Sequence, residues 1–169
     1  MTKWGTTSAS RHFARMTRTA SVAALLHVCL QDLHAGKAMQ VERFGALIEA
    51  VADGELREVL VQARDQAAGQ RDRLAALADV SGAPGNLWMR GILDDAERDT
   101  RSHQPGVLLD VAVIGAVRKA KAAEIVSTET ALALAAHVAP GMIPALEANR
   151  EEEIAADRVL RSRLAALTE

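Results

Sequence analysis

Residues 26–51 read LHVCLQDLHAGKAMQVERFGALIEAV, and this stretch decides the fold. Its apolar side chains recur at steps of three and four residues, which is the period of one face of an α-helix. One lysine interrupts that face, in the series Leu26, Leu30, Leu33, Lys37, Val41, Phe44, Ile48 and Val51. A buried ammonium without a partner costs several kcal/mol. The stretch therefore predicts a long buried helix whose central lysine is either paired inside the core or marks a functional site.

A second lysine has the same setting farther along the chain. It interrupts the series Val113, Ile114, Val117, Lys121, Glu124, Thr128, Ala131 and Ala135, which again has helical spacing. Each lysine stands near the middle of its helix, too far from the helix end for its side chain to reach water there. We expect both ammonium groups to lie in the interior of the protein.

Size and composition exclude several classes of protein. The chain has 169 residues, which suits one domain; 49% of them are hydrophobic but only 2% are aromatic. A net charge of −2 argues against general nucleic-acid binding. Cys29 is the single cysteine, so no internal disulfide can form, which is typical of a cytoplasmic protein. No uncharged apolar run is long enough for a transmembrane helix, so no membrane association is expected.

Residues 1–20 differ from the rest in composition. They contain four basic residues, many Ser and Thr, and no acidic residue. We interpret them as a basic, flexible N-terminal arm that precedes a folded domain of residues 21–169. The alternative is that the arm docks on a partner protein, with Trp4 and Phe13 as anchors.

Turn signals divide residues 21–169 into four long helices and one short helix. The long helices are predicted over residues 21–52, 55–80 and 107–138, with a last one that ends near residue 167. Asp53 and Gly54 form a tight turn, which makes the first two helices antiparallel neighbours. A short helix at 87–101 lets the next long helix run parallel to the second. This all-α order is that of a ferritin-like four-helix bundle with a short crossover helix.

Polar residues fall at about the same depth in all four long helices. We predict that they form one buried polar layer, in which the two lysines neutralise the glutamates, since a buried charge needs a paired partner. The members of the predicted layer are Lys37, Gln66, Gln70, Lys121, Glu124, Asn149, Glu152 and Glu153. No catalytic residue is assigned.

Ferritin-like bundles commonly bind two metal ions at this depth, through glutamates and Glu-x-x-His pairs. None of the five histidines has a glutamate three residues before it, so no ordinary dinuclear site and no cofactor are expected. One alternative is a reduced iron or manganese site, for oxidation or storage, built from Asp65, Glu124, Glu152 and Glu153. A second alternative is an enzyme that uses a desolvated lysine of lowered pKa as a nucleophile.

Three short motifs point to one family. Residues 32–38, DLHAGKA, match a motif of the form Asp-Leu-Tyr-x-Ala-Glu-Lys. Residues 65–74, DQAAGQRDRL, match Glu-Glu-Thr-x-Gly-Gln/His-x-x-Arg-Leu, and residues 120–125, AKAAEI, match Val-Glu-His-Tyr-Glu-Ile. Through these motifs the chain resembles the YciF/YciE-type ferritin-like family of bacterial stress-associated proteins over residues 26–166.

The resemblance carries expectations about function. It implies that Lys37 and Lys121 stand where the family has ligand glutamates, and Ala122 where it has a histidine. It implies a homodimeric structural or interaction protein of the stress response. Because an ammonium can stand where a cation stood, we expect this chain to be metal-free.

Overall fold

The computed structural model describes residues 21–169, in which every regular element is helical and none is a strand. The helices are α1 (Val22–Ala50), α2 (Gly54–Leu77), α3 (Leu87–Ser102), α4 (Val107–Val138) and α5 (Ile143–Thr168), with a 3-10 turn at Pro140–Met142 before α5. The predicted helices are confirmed, although α2 ends three residues early because Ala78 has extended backbone angles. The predicted N-terminal arm of residues 1–20 lies outside the described residues.

Side-chain caps fix where the first three helices begin. Ser21 accepts a hydrogen bond from the backbone N–H of Ala24 at 3.1 Å, and Asp53 accepts one from Leu56 at 2.7 Å. Asn86 caps α3 in the same way. Such caps satisfy N–H groups that have no partner within the helix. The local sequence therefore sets these helix starts before any packing is considered.

Two apolar clusters show how the helices run. The first joins the ends of α1 and α5 to the starts of α2 and α4, and includes Phe44, Leu56, Val113 and Leu160. The second joins the opposite ends, and includes Leu30, Leu74, Ala135 and Leu146. Consequently α1 and α5 run parallel to each other and antiparallel to α2 and α4.

Helix α3 carries the chain back along the outside of the bundle. Its buried residues Met89, Leu93 and Ala96 belong to the first apolar cluster. Arg43 of α1 fastens it through ion pairs with Asp94 at 2.8 Å and Glu97 at 2.6 Å. The fold is thus the predicted ferritin-like four-helix bundle with a crossover helix. Within residues 21–169, no helix is long and apolar enough to cross a membrane.

The turn between α1 and α2 is anchored to α4. Asp110 is buried, and its two carboxylate oxygens accept the backbone N–H groups of Ala52 at 2.9 Å and Asp53 at 3.1 Å. Arg163 of α5 pairs with Asp53 from the other side. The tight turn that the sequence predicts is therefore held by charges from two other helices.

Candidate functional site: a buried layer of paired charges

Four charged side chains lie between the two apolar clusters. Lys37 of α1, Lys121 and Glu124 of α4, and Glu153 of α5 each have at most 1% of their surface exposed. The layer is buried because each residue occupies the core-facing stripe of its helix, and these stripes continue into the two apolar clusters on either side of the layer. The helices that supply the apolar core thus also place the charges inside it.

The charges form a connected set. The Nζ atom of Lys37 lies 3.0 Å from Glu124 Oε2 and 2.9 Å from Glu153 Oε1. Lys121 Nζ lies 3.1 Å from the same Oε1 atom, so Glu153 is shared by both lysines. The two contacts of Lys37 are close enough for ion pairs, but their angles are poor for hydrogen bonds. Attraction between charges, more than directed hydrogen bonding, therefore holds Lys37 in place.

Gln40 completes the layer, and it is absent from the predicted set. Its Nε2 donates to Glu124 Oε1 at 3.3 Å, and its Oε1 accepts from Lys121 Nζ at 3.5 Å. The signal that identifies it is a strict alternation of steps of four and three. Apart from Gly36, the residues buried on α1 and just after it follow that alternation: Leu26, Leu30, Leu33, Lys37, Gln40, Phe44, Leu47 and Val51. Val41 and Ile48, which the predicted face contained, are only half-buried.

The two glutamates have opposite pKa shifts. Burial raises the pKa of Glu124 to about 6, and the neighbouring Lys37 offsets only part of that rise. Burial also acts to raise the pKa of Glu153, but the two ammonium groups outweigh it and hold that pKa below its usual value. The shared carboxylate is therefore the one whose charged form is held more strongly.

The two lysines also differ. Burial acts to lower the pKa of Lys37, but Glu124 and Glu153 together raise it above its ordinary value. Burial lowers the pKa of Lys121, and the attraction of Glu153 does not compensate, partly because Lys37 repels it. With all four groups ionised the layer has no net charge, and Lys121 is its less strongly held cation.

A second polar group joins α2 to α5 beside the layer. Gln70 donates to Glu152 Oε2 at 2.9 Å and to the carbonyl of Asn149 at 3.4 Å. Arg73 donates to Asn149 Oδ1 at 2.7 Å and pairs with Glu152. Adjacent residues differ by about 100° around a helix, so Glu152 faces α2 while Glu153 faces the lysines. The partner of Glu152 is therefore Arg73 and not a lysine.

The remaining predicted residues lie outside the layer. Gln66 is half-buried and lines a groove between α2 and α5. Asp65 is exposed and pairs with Arg64 at 3.0 Å. Asp65 is about 140° around α2 from Gln70, so it points away from Glu124 and Glu153. The four carboxylates of the reduced metal site do not converge, and within residues 21–169 no three His, Cys, Asp or Glu side chains are placed to hold a metal ion.

Gly36 lets the layer and the crossover helix approach each other. A Cβ atom at this position would lie 2.6 Å from Glu124 Oε1 and 3.2 Å from Asn86 Nδ2. Asn86, the cap of α3, donates to the carbonyl of Asp32 at 2.9 Å. The absent side chain thus makes room for a layer carboxylate and for the start of α3 on the same turn of α1.

Taken together with Gln70 of the neighbouring polar group, the layer has its residues distributed over the four helices as in a dinuclear carboxylate site of a helical bundle. Two helices each supply an i, i+3 pair, Lys37 with Gln40 and Lys121 with Glu124, while α2 supplies Gln70 and α5 supplies Glu153. Dinuclear sites use the same plan, with Glu-x-x-His on two helices and one Glu on each of the other two. Ala122, which the family motif aligns with a histidine, is exposed and lies outside this arrangement.

Comparison with known proteins agrees with this architecture. The structure matches that of the Escherichia coli stress protein YciF, with a TM-score of 0.81 and 20% identity over 87% of this chain and 96% of that one. It also matches YcfI of Rhodopseudomonas palustris, for which a structural role has been proposed, with a TM-score of 0.81 and 19% identity over 86% and 96% of the two chains.

At this level of identity the two structures establish the fold alone. No curated protein matches the sequence. The model of the family described as "Domain of unknown function (DUF892)" matches residues 21–169, which is the whole described part of the chain. These matches confirm the resemblance to YciF-type proteins, and the chain belongs to the DUF892 family.

Proposed function

We propose that this chain is a metal-free structural or interaction protein, linked to the bacterial stress response, in which ion pairs replace the metal centre of a ferritin-like bundle. One observation carries the proposal. The ammonium groups of Lys37 and Lys121 lie 2.9 to 3.1 Å from carboxylate oxygens at the depth where such bundles hold metal ions. The two ammonium groups neutralise the buried carboxylates, as metal cations do in a ferritin-like site.

The residues of the layer do not fit iron or manganese. Glu124 and Glu153 are its only carboxylates, and both already neutralise ammonium groups. A divalent ion there would meet two positive charges and would find no imidazole ligand, whereas a dinuclear site requires four carboxylates and two histidines. The burial of both lysines also disfavours a lysine enzyme, because no substrate reaches either amine without opening the bundle.

Metal analysis of the purified full chain tests the proposal. We expect iron, manganese and zinc to remain well below one ion per chain, even after incubation with each metal and removal of the excess. Unfolding midpoints should be the same with and without a chelator. One bound iron or manganese ion per chain, or a midpoint that falls on chelation, would overturn the proposal.

A reverse substitution tests whether the layer has the geometry of a metal site. The variant carries Lys37→Glu, Gln40→His, Gln70→Glu, Lys121→Glu and Glu124→His, and keeps Glu153. We expect it to bind two cobalt ions per chain and to gain stability from them, because it restores the full ligand plan. The control, Lys37→Met with Lys121→Met, removes the ammonium groups without adding ligands and should bind none. A helical five-substitution variant that leaves cobalt in solution would contradict the geometric argument.

The wider role is proposed on separate grounds. A metal-free bundle has no redox chemistry of its own, which favours a structural or interaction role, and the similarity to the stress protein YciF supports the link to stress. We further propose a cytoplasmic homodimer that does not bind nucleic acid. The exposed side chains of Leu108 and Val126 on α4 support an interface with a second copy. Light scattering of the purified chain tests dimerisation, and a mass of one chain at all concentrations would exclude it.

A further inference from the structure

The side of α4 that points away from the core is apolar along most of the helix. We call it the outer face of α4, and its members recur at alternating steps of four and three: Leu108, Ala112, Gly115, Lys119, Ala122, Val126, Glu129, Ala133 and Ala136. Ala112 and Gly115 are half-buried and the other members are exposed, Val126 at 63% and Leu108 at 77%. This spacing is that of the contact positions of a coiled coil, which pack on a second helix.

We propose that the outer face of α4 packs on the same face of a second copy of this chain, with the two helices antiparallel. This proposal rests on the homodimer proposed above and assigns its interface. In a two-fold dimer both copies use one surface, so that surface has to be complementary to itself. Here the two-fold axis passes beside residue 124, and residues equally far before and after that point face each other.

Charge favours this direction and this register. Lys119 and Glu129 are the two charged members of the face, and each stands five residues from residue 124. Lys119 therefore lies opposite the partner's Glu129, and this contact occurs twice. Parallel helices in register would instead place like charges opposite each other, and a shift of one heptad would place both charges opposite apolar residues. Because exposed ion pairs contribute little energy, these two pairs fix the orientation of the dimer more than its strength.

Side-chain size fits the same register. The other opposed pairs are Ala112 with the partner's Ala136, Gly115 with the partner's Ala133, and Ala122 with the partner's Val126. Each pair contains an alanine or a glycine, and the distance between packed helices depends on the side chains at the contact. The two backbones can therefore approach closely from residue 112 to residue 136, which is about 36 Å of helix at 1.5 Å per residue. The exposed Val126 side chain is covered in the process.

Charge reversal tests the proposal on the full chain, with the dimer dissociation constant measured by analytical ultracentrifugation. Lys119→Glu places two pairs of like charges across the interface, so we expect the constant to rise about tenfold. Lys119→Glu combined with Glu129→Lys restores opposite charges and should return it to near the wild-type value. Ala122→Arg puts a long side chain against the partner's Val126 and should also raise it at least about tenfold. The control, Arg101→Glu, makes the same change of charge at an exposed position of α3 and should leave the constant unchanged.

The outcomes separate the interface from the dimer itself. A wild type that is monomeric at all concentrations would overturn both the homodimer and its interface. A wild-type dimer that neither Lys119→Glu nor Ala122→Arg weakens would leave the homodimer standing and overturn its assignment to the outer face of α4. A loss in Lys119→Glu that the double variant does not restore would refute the antiparallel register. Circular dichroism of each variant should match that of the wild type, because all the substituted side chains are exposed.

Discussion

Replacing Glu153 by glutamine perturbs the layer at its most connected point. The shape of the side chain is nearly unchanged, but Lys37 and Lys121 lose a carboxylate oxygen that lies 2.9 and 3.1 Å from their Nζ atoms. Lys37 keeps Glu124 at 3.0 Å, whereas Lys121 keeps only the amide oxygen of Gln40 at 3.5 Å. The variant therefore leaves one ammonium buried without a counter-ion.

The expected loss of stability follows from these distances. With an effective dielectric constant near 20, each contact represents about 5 to 6 kcal/mol of attraction before desolvation is subtracted. Lys121 can avoid being a buried unpaired charge by losing its proton. At pH 7 this deprotonation costs about 4 to 5 kcal/mol for a group whose ordinary pKa is about 10.4. That cost limits the penalty for leaving the ammonium unpaired. We expect Glu153→Gln to lower the free energy of unfolding by about 3 to 5 kcal/mol at pH 7.

The pH dependence separates this mechanism from a simple packing defect. At pH 9 the same proton loss costs only about 2 kcal/mol, so the destabilisation should shrink by about half. Urea unfolding followed by circular dichroism measures both values, and the pH 9 series remains informative if the variant is unfolded at pH 7. The control, Glu129→Gln, breaks an exposed pair with Arg150 and should cost less than about 0.5 kcal/mol at either pH. A loss below about 1 kcal/mol at pH 7, or one that is equal at pH 9, would refute the reasoning.

Three further predictions use the same unfolding assay. Gly36→Ala should lower the free energy of unfolding by about 1 to 3 kcal/mol, because the added Cβ would lie 2.6 Å from Glu124 Oε1. The control, Gly45→Ala, should be neutral or stabilising, because its Cβ would meet no atom within 4 Å. Equal effects of the two substitutions would contradict the close approach at Gly36. The raised pKa of Glu124, about 6, means that the folded chain binds this proton more tightly than the unfolded chain does. Stability of the wild type relative to Glu124→Gln should therefore fall by up to about 2 kcal/mol as the pH rises from about 4.5 to 6, and a flat or rising difference would exclude the shift. Asp110→Asn should cost about 1 to 2 kcal/mol, because an amide accepts only one of the two N–H groups of the α1–α2 turn; a change within error would show that the turn holds without Asp110.

The order and lengths of the helices could be predicted because their determinants are local. Caps such as Ser21 and Asp53, the Asp53–Gly54 turn and the step of three and four residues each act within a few residues of sequence. The same step placed Lys37, Lys121, Glu124 and Glu153 in the interior, where the structure has them. Gln40 could have been included on the same grounds, because it continues the strict alternation through Lys37.

The partners of the buried groups could not be predicted in this way. Glu152 and Glu153 are neighbours in sequence, yet one pairs with Arg73 and the other with both lysines, because a rotation of about 100° around α5 separates them. Helical period gives the depth of a residue but leaves the rotation of each helix about its axis open by tens of degrees. That rotation is set by how the apolar faces of four helices pack together.

The sequence by itself thus determined a ferritin-like bundle with two lysines in its interior, since helix ends and apolar faces are encoded over short distances. Only the tertiary structure decided that Glu153 is shared, that Gln40 bridges Lys121 and Glu124, and that Gly36 brings α3 against the layer. These contacts join residues from different helices at distances near 3 Å. Such distances depend on the combined packing of the whole bundle, which no single segment specifies.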